Sequence, residues 1–426
     1  MKTGPDHVTG QDYGSPRRPF LINAVNGAGR LLWKLGCRKK VTPEALMRKA
    51  RRKSGLDDFG GEDIVTPLRV LVKSIEEEAR LNPFGRFVTR SRLVSALENR
   101  LRAERWFKLH PEILEQELLP VTVITGLQRT GTTMLHRLLA ADPGTRALLS
   151  WEALNPAPLF RTGEREKRIK SAKTSENALA YIAPDFFAVH PVEAEAPEED
   201  VLLLDFSFLS TVPEATLRVP AYSRWLEEQD QRPAYEYMRK LMLLLQWQRP
   251  AKRWILKTPH HMEYMDTLFE VFPEVRVIQT HRDPATTIAS FCSMLSHGRG
   301  VFSDSVDPEE VGRDWCRKIR RMLERTMEAR RRLPQDRFYD VHYEELLTDP
   351  VGTVEKIYRF LGLSWNRELR KLMQETHYAN GRYRYGRHVY RLENFGLTEE
   401  RIRDEFAEYY GEYLEGDMIR FGVKYG

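Results

Sequence analysis

Cysteine is scarce in this chain: three in 426 residues, at Cys37, Cys292 and Cys316, with no C-x-x-C pair and no zinc-ligand spacing. So sparse and odd a count argues against a disulfide framework and fits a reducing cytoplasm. Long apolar runs are missing too. Stretches such as Leu241–Leu245 end after a few residues, far short of the ~18 that a membrane-spanning helix requires. The opening residues, MKTGPDHVTGQDYGSPRR, have no apolar segment of the secretory kind. No H-E-x-x-H and no carboxylate cluster with metal spacing occurs, so no metal is implied. Acidic residues number 61 against 67 basic ones, and the resulting net charge of +6 points to an anionic ligand or surface.

What is present suffices for a large core. Hydrophobic residues make up 41% and aromatics 10%, which excludes wholesale disorder. Charged residues at 30% and a mean hydropathy of −0.52 give the profile of a water-soluble chain. The length allows two or three domains, or one α/β domain with large insertions.

Residues 1–18 are polar and rich in Gly and Pro, and read as a flexible tail. From Phe20 to Leu35 an apolar periodicity closed by Arg38-Lys39-Lys40 predicts a basic amphipathic helix, with peripheral membrane contact as one reading and packing on the protein's own core as the other. Thr42-Pro43-Glu44 has the form of a helix cap, and helical patterns follow at 68–78 and 92–109. The span 19–115 is therefore expected to be a helical region. Short β-branched runs at 120–126, 254–257, 275–280 and 337–343, with helical patterns at 263–272 and 311–332, predict βαβ units and a parallel sheet. Residues 116–426 would form this α/β domain, with a strand-free, helical insertion at about 155–250.

The strongest motif is Gly126-Leu-Gln-Arg-Thr-Gly131-Thr-Thr, between a buried strand and an apolar helix. Such a loop aims backbone N–H groups and a helix N-terminus at one anion. The frame is that of the nucleotide-kinase loop, but Thr132 stands where that motif has lysine, which argues against ATP chemistry. Positive charge lies inside the loop instead, at Arg129. A second anion site is expected at Arg282, just after a strand, with Ser290 eight residues on along the next helix. The H-R-D string at 281–283 is not a protein-kinase loop, since Ile288 fills the place of its asparagine.

In combination these motifs resemble the sulfotransferases that use 3′-phosphoadenosine 5′-phosphosulfate (PAPS), close to a bacterial branch similar to the carbohydrate and tyrosylprotein enzymes. The likeness runs through Gly126–Leu135, Ser150-Trp151-Glu152, Trp254–His261, Thr280–Ser290, Tyr343–Pro350 and Leu392–Leu397. It implies a three-layer fold of the P-loop nucleotide type, a central parallel sheet flanked by helices, and sulfuryl transfer from PAPS to a hydroxyl or amine. It also implies that Arg129, Thr130, Gly131, Thr132 and Thr133 hold the 5′-phosphosulfate, that Arg282 and Ser290 hold the 3′-phosphate at the other end of a nucleoside, and that Tyr343 contacts adenine. Met134 departs from the tryptophan of cytosolic relatives. Arg387, in a basic stretch with Arg382, Arg384 and Arg391, is a further phosphate candidate.

For the chemistry, Arg129 and Lys257 are the expected cations over the transferring group. Two candidates compete for the base. Glu152 matches the place of a catalytic glutamate in tyrosylprotein-type enzymes; His261, or His260, follows Lys257 where cytosolic relatives have a histidine nearer by, with Pro259 intervening. The acceptor is expected to be a small molecule, partly apolar or carbohydrate, met by aromatic residues of the insertion such as Phe206, Tyr222 and Trp247. A catalytically silent PAPS-binding relative and a P-loop kinase are the alternatives. Nucleic acid is not an expected partner, because the Arg-rich segment 313–337 has the periodicity of a helix with a solvated basic face.

Overall fold

The β-branched run after Pro120 forms strand β1 (Val121–Gly126), buried along its whole length. In the computed structural model, which describes residues 8–10, 12–13, 16–38, 40–160, 162–380 and 388–416, four more strands join it: β2 (Thr145–Ala147), β3 (Arg253–Lys257), β4 (Arg276–His281) and β5 (Phe338–His342). All pairings are parallel, in the order β2-β3-β1-β4-β5. Four strands fall where the apolar runs predict them. The fifth, β2, has only three residues and includes the fully buried Arg146, whose guanidinium lies 4.6 Å from the Trp254 ring. Too short to show a period, it carried no strand signal.

Alternation along the strands builds the layers. Ile124, Ile255 and Ile278 face one core with Leu135, Leu138 and Leu139 of the helix after β1 and with Val354 and Ile357. Val123, Trp254, Leu256 and Val277 face the other, shared with the Arg232–Gln248 helix and with Leu46, Leu68 and Leu97 from the N-terminal helices. This is the expected α/β sandwich, and the helical region before residue 115 completes one of its cores. The insertion contains helices and no strand among its described residues.

Several helices start on a polar cap followed directly by proline. Thr42, Asn82, Asp283, Asp307 and Asp349 each accept a first-turn amide, with Pro43, Pro83, Pro284, Pro308 and Pro350 next in line. Ahead of them, the Phe20–Lys34 helix forms as the pattern requires. Within the stretch read as a tail, Thr9 and Tyr13 are buried, and the Tyr13 hydroxyl donates to Ser293 Oγ at 2.8 Å.

Candidate active site

The strand ends bring the motif residues together. β1 stops at Gly126 (φ 144°), where a side chain would put Cβ 2.2 Å from Thr280 Oγ1 on the neighbouring β4. Gly131 (φ 85°) caps the Thr132–Ala140 helix, and a Cβ there would lie 2.8 Å from Leu346. Between them Arg129 takes φ 71°, a left-handed conformation that costs a non-glycine residue about 1 kcal/mol or more. The Thr130 side chain is fully buried and pins the turn, donating to the Leu127 carbonyl at 2.6 Å and lying 2.6 Å from Thr280 Oγ1. The result is a tight loop that leads into a helix whose first-turn amides have no acceptor within the helix. Gln128 Oε1, in the same loop, is buried without a hydrogen-bond partner.

The second group of motif residues adjoins the first. Arg282, just past β4, donates from Nη1 to the Arg129 carbonyl at 2.6 Å, and its guanidinium lies 3.8 Å from the centre of the Tyr343 ring. Arg129 Nε donates in turn to Ser290 Oγ at 3.2 Å, on the helix capped by Asp283. Ser290 Oγ is also 3.3 Å from His388 Nδ1, and His388 Nε2 is 2.9 Å from Ser293 Oγ. Burial, with the charges of Arg129 and His297, pulls the His388 pKa down to about 3, so the ring is neutral at physiological pH. Arg387, its chain neighbour, lies outside the described residues.

Lys257 closes the third side. It ends β3 beside Ile124 of β1, is almost wholly buried, and its Nζ is 2.6 Å from Glu199 Oε1. Arg129 Nη1 donates to the Val189 carbonyl at 3.2 Å. The next residue, His190, is half-buried; burial lowers its pKa, against the opposing charges of Glu198 and Glu199 and with those of Lys257 and Arg129. Three cations (Arg129, Lys257 and Arg282), a carboxylate and the glycine-bounded loop thus lie at the C-terminal ends of β1, β3 and β4, where open α/β sheets bind ligands.

A family model described as "Sulfotransferase family" matches residues 120–367, the stretch that contains all of these groups except His388. The chain belongs to the sulfotransferase family. Two solved structures resemble the whole fold: sulfotransferase STF1 of Mycobacterium tuberculosis H37Rv, 34% identical with a TM-score of 0.74 over 87% of this chain and 100% of that one, and STF9 of Mycobacterium avium, 27% identical with a TM-score of 0.79 over 88% and 97%. A sequence relative, the omega-hydroxy-beta-dihydromenaquinone-9 sulfotransferase Stf3 of Mycobacterium bovis, is 28% identical across 70% of this chain and 74% of its own. The protein is therefore a sulfotransferase, a family whose typical sulfuryl donor is PAPS.

The two base candidates read from the sequence are buried in this sulfotransferase, although Glu152 also lines the cleft of Trp106, Trp151 and Trp247. Glu152 is 1% exposed and both its oxygens are engaged: Oε1 by Arg146 at 2.9 Å, Oε2 by Arg249 at 3.1 Å and by the Leu149 amide. His261 is fully buried, with Nε2 2.8 Å from Asp200 Oδ2 and Nδ1 2.7 Å from the Tyr235 hydroxyl. His260 is buried as well, which lowers its pKa. Glu199, by contrast, keeps a side chain 25% exposed beside Lys257. It sits in the acid-rich segment 193–200, whose composition alone assigns no role; His388, a lone histidine, gave no signal.

Phe206, Phe208 and Tyr222 belong to the core rather than to a pocket. Trp247 instead lines a cleft of about 400 Å³ with Trp106, Trp151, Phe160, Arg165 and Arg249. Tyr343 stacks on Arg282 and flanks Gly131, where a Cβ would meet its ring at 3.3 Å. Among the described residues no group of three or more His, Cys, Asp or Glu side chains is placed to hold a metal ion.

Proposed function

We propose that the chain transfers the sulfuryl group of PAPS to the hydroxyl of an apolar alcohol, with Glu199 as general base. The observation that carries this reading is the Lys257–Glu199 pair beside the anion loop and Arg129. PAPS, when bound, supplies an activated sulfuryl group whose transfer leaves negative charge on the 5′-phosphate.

The residues present fit that donor. The Thr132–Ala140 helix presents first-turn amides that have no acceptor within the helix, and Arg129 supplies positive charge inside the loop before it. Arg129, Thr130, Gly131, Thr132 and Thr133 would hold the phosphosulfate; Arg282 and Ser290 would hold the 3′-phosphate. The contact between Arg129 and Ser290 refines the idea of two ends separated by a nucleoside. Both phosphates of the donor hang from one ribose, so neighbouring grips are what it requires.

In the proposed reaction Lys257 and Arg129 place positive charge where the leaving oxygen becomes anionic. Glu199 takes the proton from the acceptor hydroxyl as its oxygen bonds sulfur and the bond from sulfur to the 5′-phosphate oxygen breaks. Glu152 and His261 then act from behind: Glu152 ties β2 to Arg249, and His261 holds Asp200, the neighbour of Glu199. An apolar alcohol is supported by the name of the Stf3 relative, whose acceptor is a hydroxylated dihydromenaquinone. We place the meeting with such an acceptor at a lipid surface.

Titration calorimetry with 3′-phosphoadenosine 5′-phosphate tests the donor site. Arg282→Ala should weaken binding by about 2 kcal/mol, roughly thirtyfold, the range of a lost charge-assisted contact. Unchanged affinity would refute the assignment. For the acceptor, isotope-labelled PAPS incubated with a host lipid extract should yield a product heavier by one SO₃; label found only in water-soluble products would overturn the apolar class.

A further inference from the structure

The Phe20–Lys34 helix divides its surface in three. Ile22 and Asn26 are buried, and the Asn26 side-chain oxygen accepts the Phe84 amide at 2.9 Å, fastening the helix to the one that begins at Pro83. Gly29 faces the same way, since a Cβ there would run into Pro83. Asn23, Gly27, Arg30 and Lys34 form a polar flank exposed to solvent. The remaining surface is apolar and uncovered: Phe20, Leu21, Ala24, Val25, Ala28, Leu31 and Leu32, continued by Leu35, span an arc of about 140° at ~100° per residue. Phe20 is 86% exposed, Leu35 71% and Leu31 61%. For a folded chain to leave so continuous a stripe open calls for an apolar partner.

Charge identifies the partner. Between Tyr13 and Pro43 the chain has Arg17, Arg18, Arg30, Lys34, Arg38, Lys39 and Lys40 and no acidic residue. Arg18 and Arg30 are paired with Asp304, whereas the side chains of Arg17, Lys34, Arg38 and Lys40 are exposed around the two ends of the stripe. A second copy docked stripe to stripe would bring these like charges face to face. An anionic lipid surface accepts both features, the apolar arc among acyl chains and the basic rim among headgroups.

We infer that the Phe20–Lys34 helix is an interfacial anchor that seats the protein on an anionic membrane. The helix is too short and its inner face too firmly docked to cross, and among the described residues no helix is long and apolar enough to span a bilayer. The inference goes beyond the catalytic reading and holds whichever acceptor the enzyme uses.

Flotation of the full chain with lipid vesicles tests it. Vesicles of phosphatidylcholine with phosphatidylglycerol should carry the protein upward, phosphatidylcholine alone at least about tenfold less, and added salt should release it. The double variant Leu31→Glu/Leu32→Glu should lose flotation while its melting temperature and its affinity for 3′-phosphoadenosine 5′-phosphate stay as in the parent; Lys34→Gln/Arg38→Gln should reduce the preference for anionic vesicles. A parent that fails to float at low salt, or a glutamate variant that floats equally well, would overturn the inference. So would a dimer in solution that the glutamate variant dissociates, since the stripe would then be covered by another copy. Loss of nucleotide binding in the parent would instead strike the donor assignment and leave this one standing.

Discussion

Two glutamates, one buried and one partly exposed, show how neighbours decide what a carboxylate does. Glu152 is enclosed by Arg146 and Arg249, and burial lowers the Arg146 pKa only to about 10, so the guanidinium is still charged at neutral pH. Removing the carboxylate would strand that buried charge. Glu152→Gln should therefore destabilise the fold by about 3 kcal/mol, read from urea unfolding, because breaking one side of a buried pair leaves the other uncompensated. Glu199→Gln is expected to act mainly on the chemistry. Glu199 is partly exposed but its partner Lys257 is almost wholly buried, so stability should still fall, by about 1–3 kcal/mol, while turnover drops about 100-fold with donor affinity little altered. A Glu199→Gln enzyme that turns over at the parent rate would remove Glu199 from the mechanism. The sequence placed a catalytic carboxylate at Glu152 by resemblance; nothing local to Glu199 marked it, since its partner Lys257 is 58 positions away.

At the scale of elements, the site depends on loops at strand ends that a side chain would spoil. Gly131 is both left-handed and pressed against Leu346 and Tyr343. Gly131→Ala should destabilise the protein by about 2 kcal/mol and weaken nucleotide binding more than tenfold, measured by denaturation and calorimetry on the same sample. Gly27 supplies the contrast: it lies within a helix with nothing near its missing Cβ, so Gly27→Ala should be neutral or stabilising by about 0.5–1 kcal/mol. Most of these elements were readable in advance. The Thr42-Pro43 pair announces a helix start, and β-branched runs announce β1, β3, β4 and β5. β2 was not readable, because three residues with a buried arginine show no periodicity.

For the molecule as a whole, one core joins the N-terminal helices to the sheet, and several histidines are enclosed uncharged. Burial takes the pKa of both His136 and His388 from the ordinary 6.5 to about 3. Each is depressed in the folded state, so the unfolded chain binds more protons between pH 6.5 and 3, and folding loses stability as pH falls through that window. Between pH 6.5 and 5 each should cost on the order of 2 kcal/mol. Urea unfolding at these two pH values checks this, and His388→Gln should flatten the slope by its share; an unchanged slope would mean that His388 is already solvated.

What this sequence determined alone is whatever rests on contiguous residues. The glycine-bounded loop, the Arg282-to-Ser290 spacing, the strand–helix alternation and the amphipathic pattern after Phe20 all follow from backbone geometry and short-range periodicity. Only the tertiary structure decided which carboxylate stands beside the cation, that Arg129 reaches Ser290, and that the apolar stripe of the first helix is left uncovered. Those outcomes depend on how a helical insertion and an N-terminal helix pack against distant strand ends, and contacts between segments far apart in the chain have no local periodicity to announce them.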